Sequence, residues 1–235
     1  RHPVKLEVLP EDLRDVMPVD ERGRVDRPPR ELRGEIFRRF LAALEPLRAA
    51  GKLGGLLFQL PPYIVYKETS LEYLEWAREQ LGGHEMLVEF RHRSWLDDEN
   101  RAASLAFLER IGAGYVVVDA PRSDTAKNLV PTVVAPTSLT AYVRFHGRNL
   151  ATWNKRGSSA AERFDYLYSD DELGEWMEPL RELAGQSEQA YAFFNNNASS
   201  EDPDNPLRRV SQAATNARQL RRLLDVNRIA ASGGA

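Results

Sequence analysis

Within the stretch VEFRHRSW, Glu89, Arg91, His92 and Arg93 fall inside five positions, directly behind the apolar pair Leu87 and Val88. On a strand, residues two apart share a face. Glu89 and Arg91 would therefore stand side by side, each keeping the other ionised and oriented. Such a pair can position a substrate, and it can equally be a structural ion pair at a strand end. Arg144, His146 and Arg148 repeat the two-residue spacing in AYVRFHGR. Together with Arg91 and with His92 or Arg93 they form a cationic set suited to phosphate or carboxylate. His146 is a candidate acid–base group, with a hydrogen-bonded strand-end histidine as the alternative.

Asp119 ends YVVVD and is a candidate general base or metal ligand, or else caps the turn ahead of Pro121 through an Asx motif. Glu89 with Asp119 gives two carboxylates of the kind used in glycoside hydrolysis. Gln59 stands ahead of Pro61 and Pro62 and would face the same way as the charged set. Asn195, Asn196 and Asn197 close another β-type run, and their amides suit the pinning of loops or the binding of ligand oxygens. Trp95 reads as a packing residue or a pocket wall, and Trp153, in a long polar loop, as a lid candidate.

The 32 basic and 35 acidic residues leave a formal charge of -3, so no global attraction to nucleic acid or to an acidic membrane is expected. With no cysteine among 235 residues, disulfides, thiolate nucleophiles and cysteine-bound metals are excluded, which suits the cytoplasm. Four histidines without H-x-H or H-E-x-x-H spacing are too few for a multinuclear metal site. No cofactor is expected, and at most a single carboxylate-bound magnesium. Neither a G-x-S-x-G elbow nor a G-x-G-x-x-G loop is present. The apolar runs are far shorter than the roughly 20 residues that cross a bilayer. The opening RHPVKLEVLP lacks the order of a signal peptide and an initiator methionine, so the chain is expected to start inside a longer protein.

The elements that must hold these residues recur along the chain. Short β-type runs lie at 54–60, 86–91, 115–119, 141–146 and 190–196. Helices are expected between them. TSLEYLEWAREQL has Thr69 and Glu72 at capping-box spacing and stops at Gly82. DDENRAASLAFLERIGAG offers Asp97 or Asp98 as N-cap and Gly112 as C-cap. Ser169 and Glu172 open a further helix that Pro179 is placed to kink, and a last helix begins around Pro206. An irregular charged segment over 1–30 precedes an amphipathic helix with Ile36, Phe37, Phe40, Leu41, Leu44 and Leu47. The expected organisation is that segment, a single domain over 31–228 and a flexible tail over 229–235.

Alternation puts Leu57 and Gln59; Leu87, Glu89 and Arg91; Val117 and Asp119; Tyr142, Arg144 and His146; and Phe193 and Asn195 on one face, polar toward the C-terminal end. The other face is almost wholly apolar. A doubly wound open sheet is covered by helices on both faces. A (β/α) barrel has helices outside and a polar mouth at the C-terminal strand ends. The pattern favours an α/β fold of the TIM-type barrel kind, incomplete here and comprising the last five βα units. An open doubly wound parallel sheet is the alternative.

GGLLFQLPP, VEFRHRSW, YVVVDAP, AYVRFHGR, ERFDYLYSDDEL, AYAFFNNN and TNARQLRRLL, in that order, resemble the blocks of the YecE-like proteins, the family of domain of unknown function 72. The resemblance runs from about Gly54 to Leu224 and implies a single (β/α) barrel. The family's Gly-Trp block near the first strand and its acidic-aromatic block on the second have no counterpart here. RHPVKLEV is similar to the region just after the third strand, so the resemblance implies the C-terminal portion of a family member.

Two functional classes follow. One is an enzyme of hydrolase or lyase type binding a small anionic or phosphate-bearing ligand at the strand ends. Glu89, Asp119 and His146 are its acid–base candidates, with Gln59, Arg91, Trp95, Arg144, Arg148, Trp153 and Asn195 around the ligand. The other is a non-enzymatic module that uses the same basic rim for a small ligand or for nucleic acid. No membrane partner is expected, and the oligomeric state stays open.

Overall fold

The computed structural model describes residues 5–123, 125–155, 160–196, 198–202 and 205–227. The expected tail over 229–235, Asn197 and part of the long loop after AYVRFH lie outside them. In chain order the elements are α1 (Glu11–Arg14), α2 (Arg30–Ala49), β1 (Leu56–Gln59), α3 (Glu68–Leu81), β2 (Met86–Glu89), α4 (Arg101–Ile111), β3 (Ala113–Asp119) and β4 (Thr140–Phe145). They continue with α5 (Leu150–Trp153), α6 (Ala160–Arg163), α7 (Asp170–Gly174), α8 (Met177–Gly185), β5 (Gln189–Phe194), β6 (Ser199–Asp202), β7 (Asn205–Ser211) and α9 (Gln212–Val226). No helix among the described residues is long and apolar enough to cross a membrane.

The chain divides into two compact units, residues 1–56 with 72–85, and residues 57–71 with 86–235. In the first, the apolar stripe of α2 is only partly covered. Phe37 meets Trp76 edge-on at 5.4 Å, and the Arg33 guanidinium lies 5.1 Å above the same ring. A cavity of about 500 Å³ in this unit is lined by Arg48, His84, Glu85 and the glycines ahead of β1 and β2.

The second unit holds the strand ends that carry the chemistry. The sheet is parallel, in the order β1-β2-β3-β4-β5, with β1 and β5 at its open edges. The protein is therefore an α/β fold with a five-stranded parallel sheet whose spatial order follows the sequence. A doubly wound sheet reverses its order at a switch point, and no reversal occurs here.

Register between strands corrects one expected face. Leu87 is level with Gly114, and Val118 is level with Arg144. Gly114, Val116 and Val118 thus share the face of Glu89 and Arg144. Val117 and Asp119 point to the other face, level with Val143 and Phe145. That face is covered: Tyr168 and Trp176 pack edge-on against Phe145 at 5.6 and 5.0 Å. The face of Glu89 is barer at the two sheet edges, where Leu57 is 39% and Phe193 47% exposed.

Local signals fixed several helix ends as expected. Gly112 adopts φ 65° and caps α4, and Ser169 with Glu172 forms both halves of a capping box. Elsewhere the ends move. Helix α3 starts at Glu68, so Thr69 lies inside it. Asn100 precedes α4, while Asp97 Oδ1 accepts the Asn100 N–H at 3.0 Å and shapes the turn before it. The helix containing Pro179 is broken, not kinked: α7 ends at Gly174, and Pro179 sits in the first turn of α8, where a missing N–H is tolerated. The largest change is at 205–211, which pairs antiparallel with β6, so α9 starts only after Ser211, whose hydroxyl caps it.

Candidate functional site

Glu89, the last residue of β2, is fully buried and stands at the centre of a polar cluster. Its Oε1 accepts hydrogen bonds from Gln59 Nε2 at 3.0 Å and His146 Nε2 at 3.1 Å, and its Oε2 accepts from Arg144 Nη1. Arg91 Nε lies against Oε1 as an ion pair without hydrogen-bond alignment. Strand parity explains the convergence, because Glu89 and Arg91 on one strand and Arg144 and His146 on another point the same way.

Asn195, just beyond β5, fixes the protonation pattern. Its Oδ1 accepts from Arg144 Nη2 at 3.3 Å, and its Nδ2 faces His146 Nδ1 at 3.1 Å. A guanidinium can only donate, so the amide orientation is determined and Nδ1 must accept. The His146 proton then sits on Nε2 and is donated to Glu89.

Burial opposes the charge on Glu89, but the His146 hydrogen bond and the Arg91 and Arg144 charges outweigh it and hold the carboxyl well below the usual range. Burial also pushes the His146 imidazole down, to about 4, with the pull of Glu89 only partly opposing it and Arg91 adding to the fall. His146 is thus neutral at pH 7. Two guanidiniums face one carboxylate, and one positive charge is left over.

A pH dependence follows from these shifts. His146 binds its proton less readily when folded, so its contribution is complete above the ordinary value of 6.5 and is lost as pH falls toward about 4. Glu89, depressed from 4.5, loses its contribution only below that value. Urea titrations at pH 7 and pH 4 are expected to show a fall on the order of 3 kcal/mol that disappears in His146→Gln. An equal fall in both proteins would remove His146 from this account.

Asp119 serves a different cluster on the opposite face. Its Oδ1 accepts from Tyr168 Oη at 2.7 Å and Arg148 Nε at 3.0 Å, and its Oδ2 accepts from Arg148 Nη2 at 2.7 Å and Trp176 Nε1 at 2.9 Å. Arg148 also pairs with Glu175 at 3.0 Å. Gly147 explains why Arg148 leaves the row of Arg144 and His146. It adopts φ +84°, a Cβ there would fall 2.5 Å from Tyr166 Cβ, and its N–H donates to Tyr168 Oη at 2.8 Å. The chain turns at this glycine, and Arg148 reaches Asp119. The expected pairing of Glu89 with Asp119 is therefore not formed.

The remaining expected site residues divide. Gln59, Arg91, Arg144, His146 and Asn195 meet at Glu89. Trp95 is buried away from them, stacked on Phe90 at 4.4 Å with Nε1 donating to Ile64 O at 2.9 Å. His92 Nδ1 accepts the Ser94 N–H at 3.2 Å. Trp153 is buried 6.4 Å from the His146 ring, beside Phe164, which lies 5.7 Å from that ring. Tyr168, Trp176 and Arg163 were not singled out by sequence, since nothing in ERFDYLY gives its distance from the strand ends. No group of three carboxylate or imidazole side chains able to hold a metal occurs among the described residues.

A family model described as protein of unknown function DUF72 matches residues 21–231. The UPF0759 protein YunF of Bacillus subtilis (strain 168) is 33% identical over 210 residues, covering 88% of this chain and 69% of that protein. A solved DUF72 family protein of Thermotoga maritima MSB8 superposes with a TM-score of 0.68 at 35% identity, covering 82% of this chain and 65% of its own. A second, of Enterococcus faecalis V583, gives 0.71 at 26% identity, covering 82% and 66%. The chain spans about two thirds of the length of these solved relatives.

Proposed function

Since the chain belongs to the DUF72 family, whose function is unknown, we propose a role from the Glu89 cluster itself: the C-terminal strand ends bind a small anionic or phosphate-bearing ligand through Arg91 and Arg144. The observation that carries this is the surplus positive charge around a buried carboxylate and a neutral imidazole. A buried charge without a partner is strongly unfavourable, and a ligand anion supplies that partner. The Arg91 and Arg144 side chains are 17% and 13% exposed, so neither is sealed from solvent. Both are planar forks suited to carboxylate or phosphate. Glu89, in this reading, orients the arginines and takes no proton.

A hydrolytic or lyase step on the bound ligand would draw on His146, whose Nδ1 becomes a free proton acceptor once Asn195 turns away. The small-ligand reading is favoured over nucleic acid because Trp95 and Trp153 are both buried and offer no platform for stacked bases. The sequential strand order, and relatives about half as long again, support reading the five strands as the later part of a (β/α) barrel. The cysteine-free sequence supports a cytoplasmic setting.

Isothermal titration with benzoate and with inorganic phosphate tests the anion reading. Arg91→Ala is expected to weaken binding of both by about tenfold or more, as for loss of a charge-assisted contact. Absence of binding to the unaltered chain, or undiminished binding in Arg91→Ala, would overturn it.

A further inference from the structure

We propose that the ligand of this site is a phosphate monoester, its dianionic phosphoryl group shared by Arg91, Arg144 and a third arginine, Arg163, contributed by α6. This inference rests on the anion-binding reading and narrows it to one charge class. Arg163 precedes Phe164, whose ring lies 5.7 Å from that of His146. Arg91 reaches the same imidazole, its Nη2 being 3.4 Å from Nε2. Phe164, the residue after α6, and the Arg91 side chain therefore meet at His146 from different segments of one unit.

The two arginines share a second feature. Arg91 Nε, held against Glu89 as an ion pair, and Arg163 Nε are both buried without a hydrogen-bond partner. A buried guanidinium nitrogen such as Arg163 Nε is rare without a hydrogen bond, because its lost solvation is not replaced. Arg163 also acts on Arg91 electrostatically: burial is the main influence weakening the hold of Arg91 on its proton, Glu89 opposes it, and the Arg144 and Arg163 charges add to it. Glu89 thus pairs with Arg91 and Arg144, the Arg163 charge is felt at Arg91, and His146 is neutral beside them.

The charge count then selects the ligand. Three positive charges against one negative leave a surplus of two. A carboxylate ligand would cancel half of it. A phosphate monoester carries about -1.5 to -2 charges at neutral pH, with three acceptor oxygens for three forks. Its charge and its acceptor number both match.

Phenyl phosphate and benzoate share an aromatic ring and differ in the anion, so the pair isolates this choice. Calorimetric titration of the chain at pH 8 is expected to show phenyl phosphate binding about tenfold or more tightly than benzoate. In Arg163→Ala that advantage should vanish through loss of phenyl phosphate affinity, with benzoate held within about twofold. Arg163→Lys should keep part of the preference, and Arg163→Gln repeats the test with a side chain of similar length should the alanine variant not fold. Equal affinities in the unaltered chain, or equal losses for both ligands in Arg163→Ala, would overturn the dianion inference and leave the anion reading standing. Failure of both ligands to bind the unaltered chain would overturn the two together.

Discussion

Replacing Glu89 by glutamine is expected to lower the unfolding free energy by about 3–5 kcal/mol, the range found when one partner of a buried charge pair is removed. The carboxylate is fully buried and is the counter-ion for both Arg91 and Arg144. Glutamine keeps the shape and one acceptor, but it leaves two guanidiniums facing one another with no negative charge between them. Its amide must also present an N–H to a site where Gln59, His146 and Arg144 all donate. Urea titration at pH 7 measures the loss. Adding Arg144→Met to Glu89→Gln removes one repelling charge and should recover part of the stability, giving a coupling of about 1 kcal/mol or more in a double-mutant cycle. A loss below about 1 kcal/mol from Glu89→Gln would mean that water or another partner replaces the carboxylate, and that Glu89 is not the counter-ion on which the arginines depend.

That centre was legible because a strand alternates strictly. Glu89 with Arg91, and Arg144 with His146, could be put on common faces from spacing alone, and Gln59 and Asn195 followed by the same rule. Asp119 was misplaced because alternation orders residues within a strand, while the offset between β2 and β3 is set by pairing that no single strand encodes. Arg148 carried the right spacing, but Gly147 with φ +84° ends the alternation one residue earlier. Arg163 gave no periodic signal, since its position depends on how the loop after β4 packs on His146. The pairing of β6 with β7 was hidden for a related reason: SSED has little β-type composition, and the hairpin comes from backbone pairing, not side-chain pattern.

Asp119→Ala should destabilise the chain to a similar degree, about 3–5 kcal/mol, through a different set of losses. Tyr168 Oη and Trp176 Nε1 are buried donors that Asp119 satisfies, and Arg148 would be left to Glu175 and Glu172. Burial, then the Asp119 charge, raises the Tyr168 phenol far above its ordinary value, so it stays a donor at every pH at which the protein folds. Tyr168→Phe removes the bond to Asp119 and the one that Oη accepts from Gly147 N–H, without stranding a charge, and should cost about 2–3 kcal/mol. The binding consequence separates Asp119 from Glu89. Asp119 lies on the opposite face of the sheet, so Asp119→Ala, titrated with benzoate well below its unfolding transition, should keep its affinity within about twofold. Were the folded variant to lose benzoate binding altogether, Asp119 would belong to the ligand site after all, and the division into two clusters by strand register would have to be abandoned.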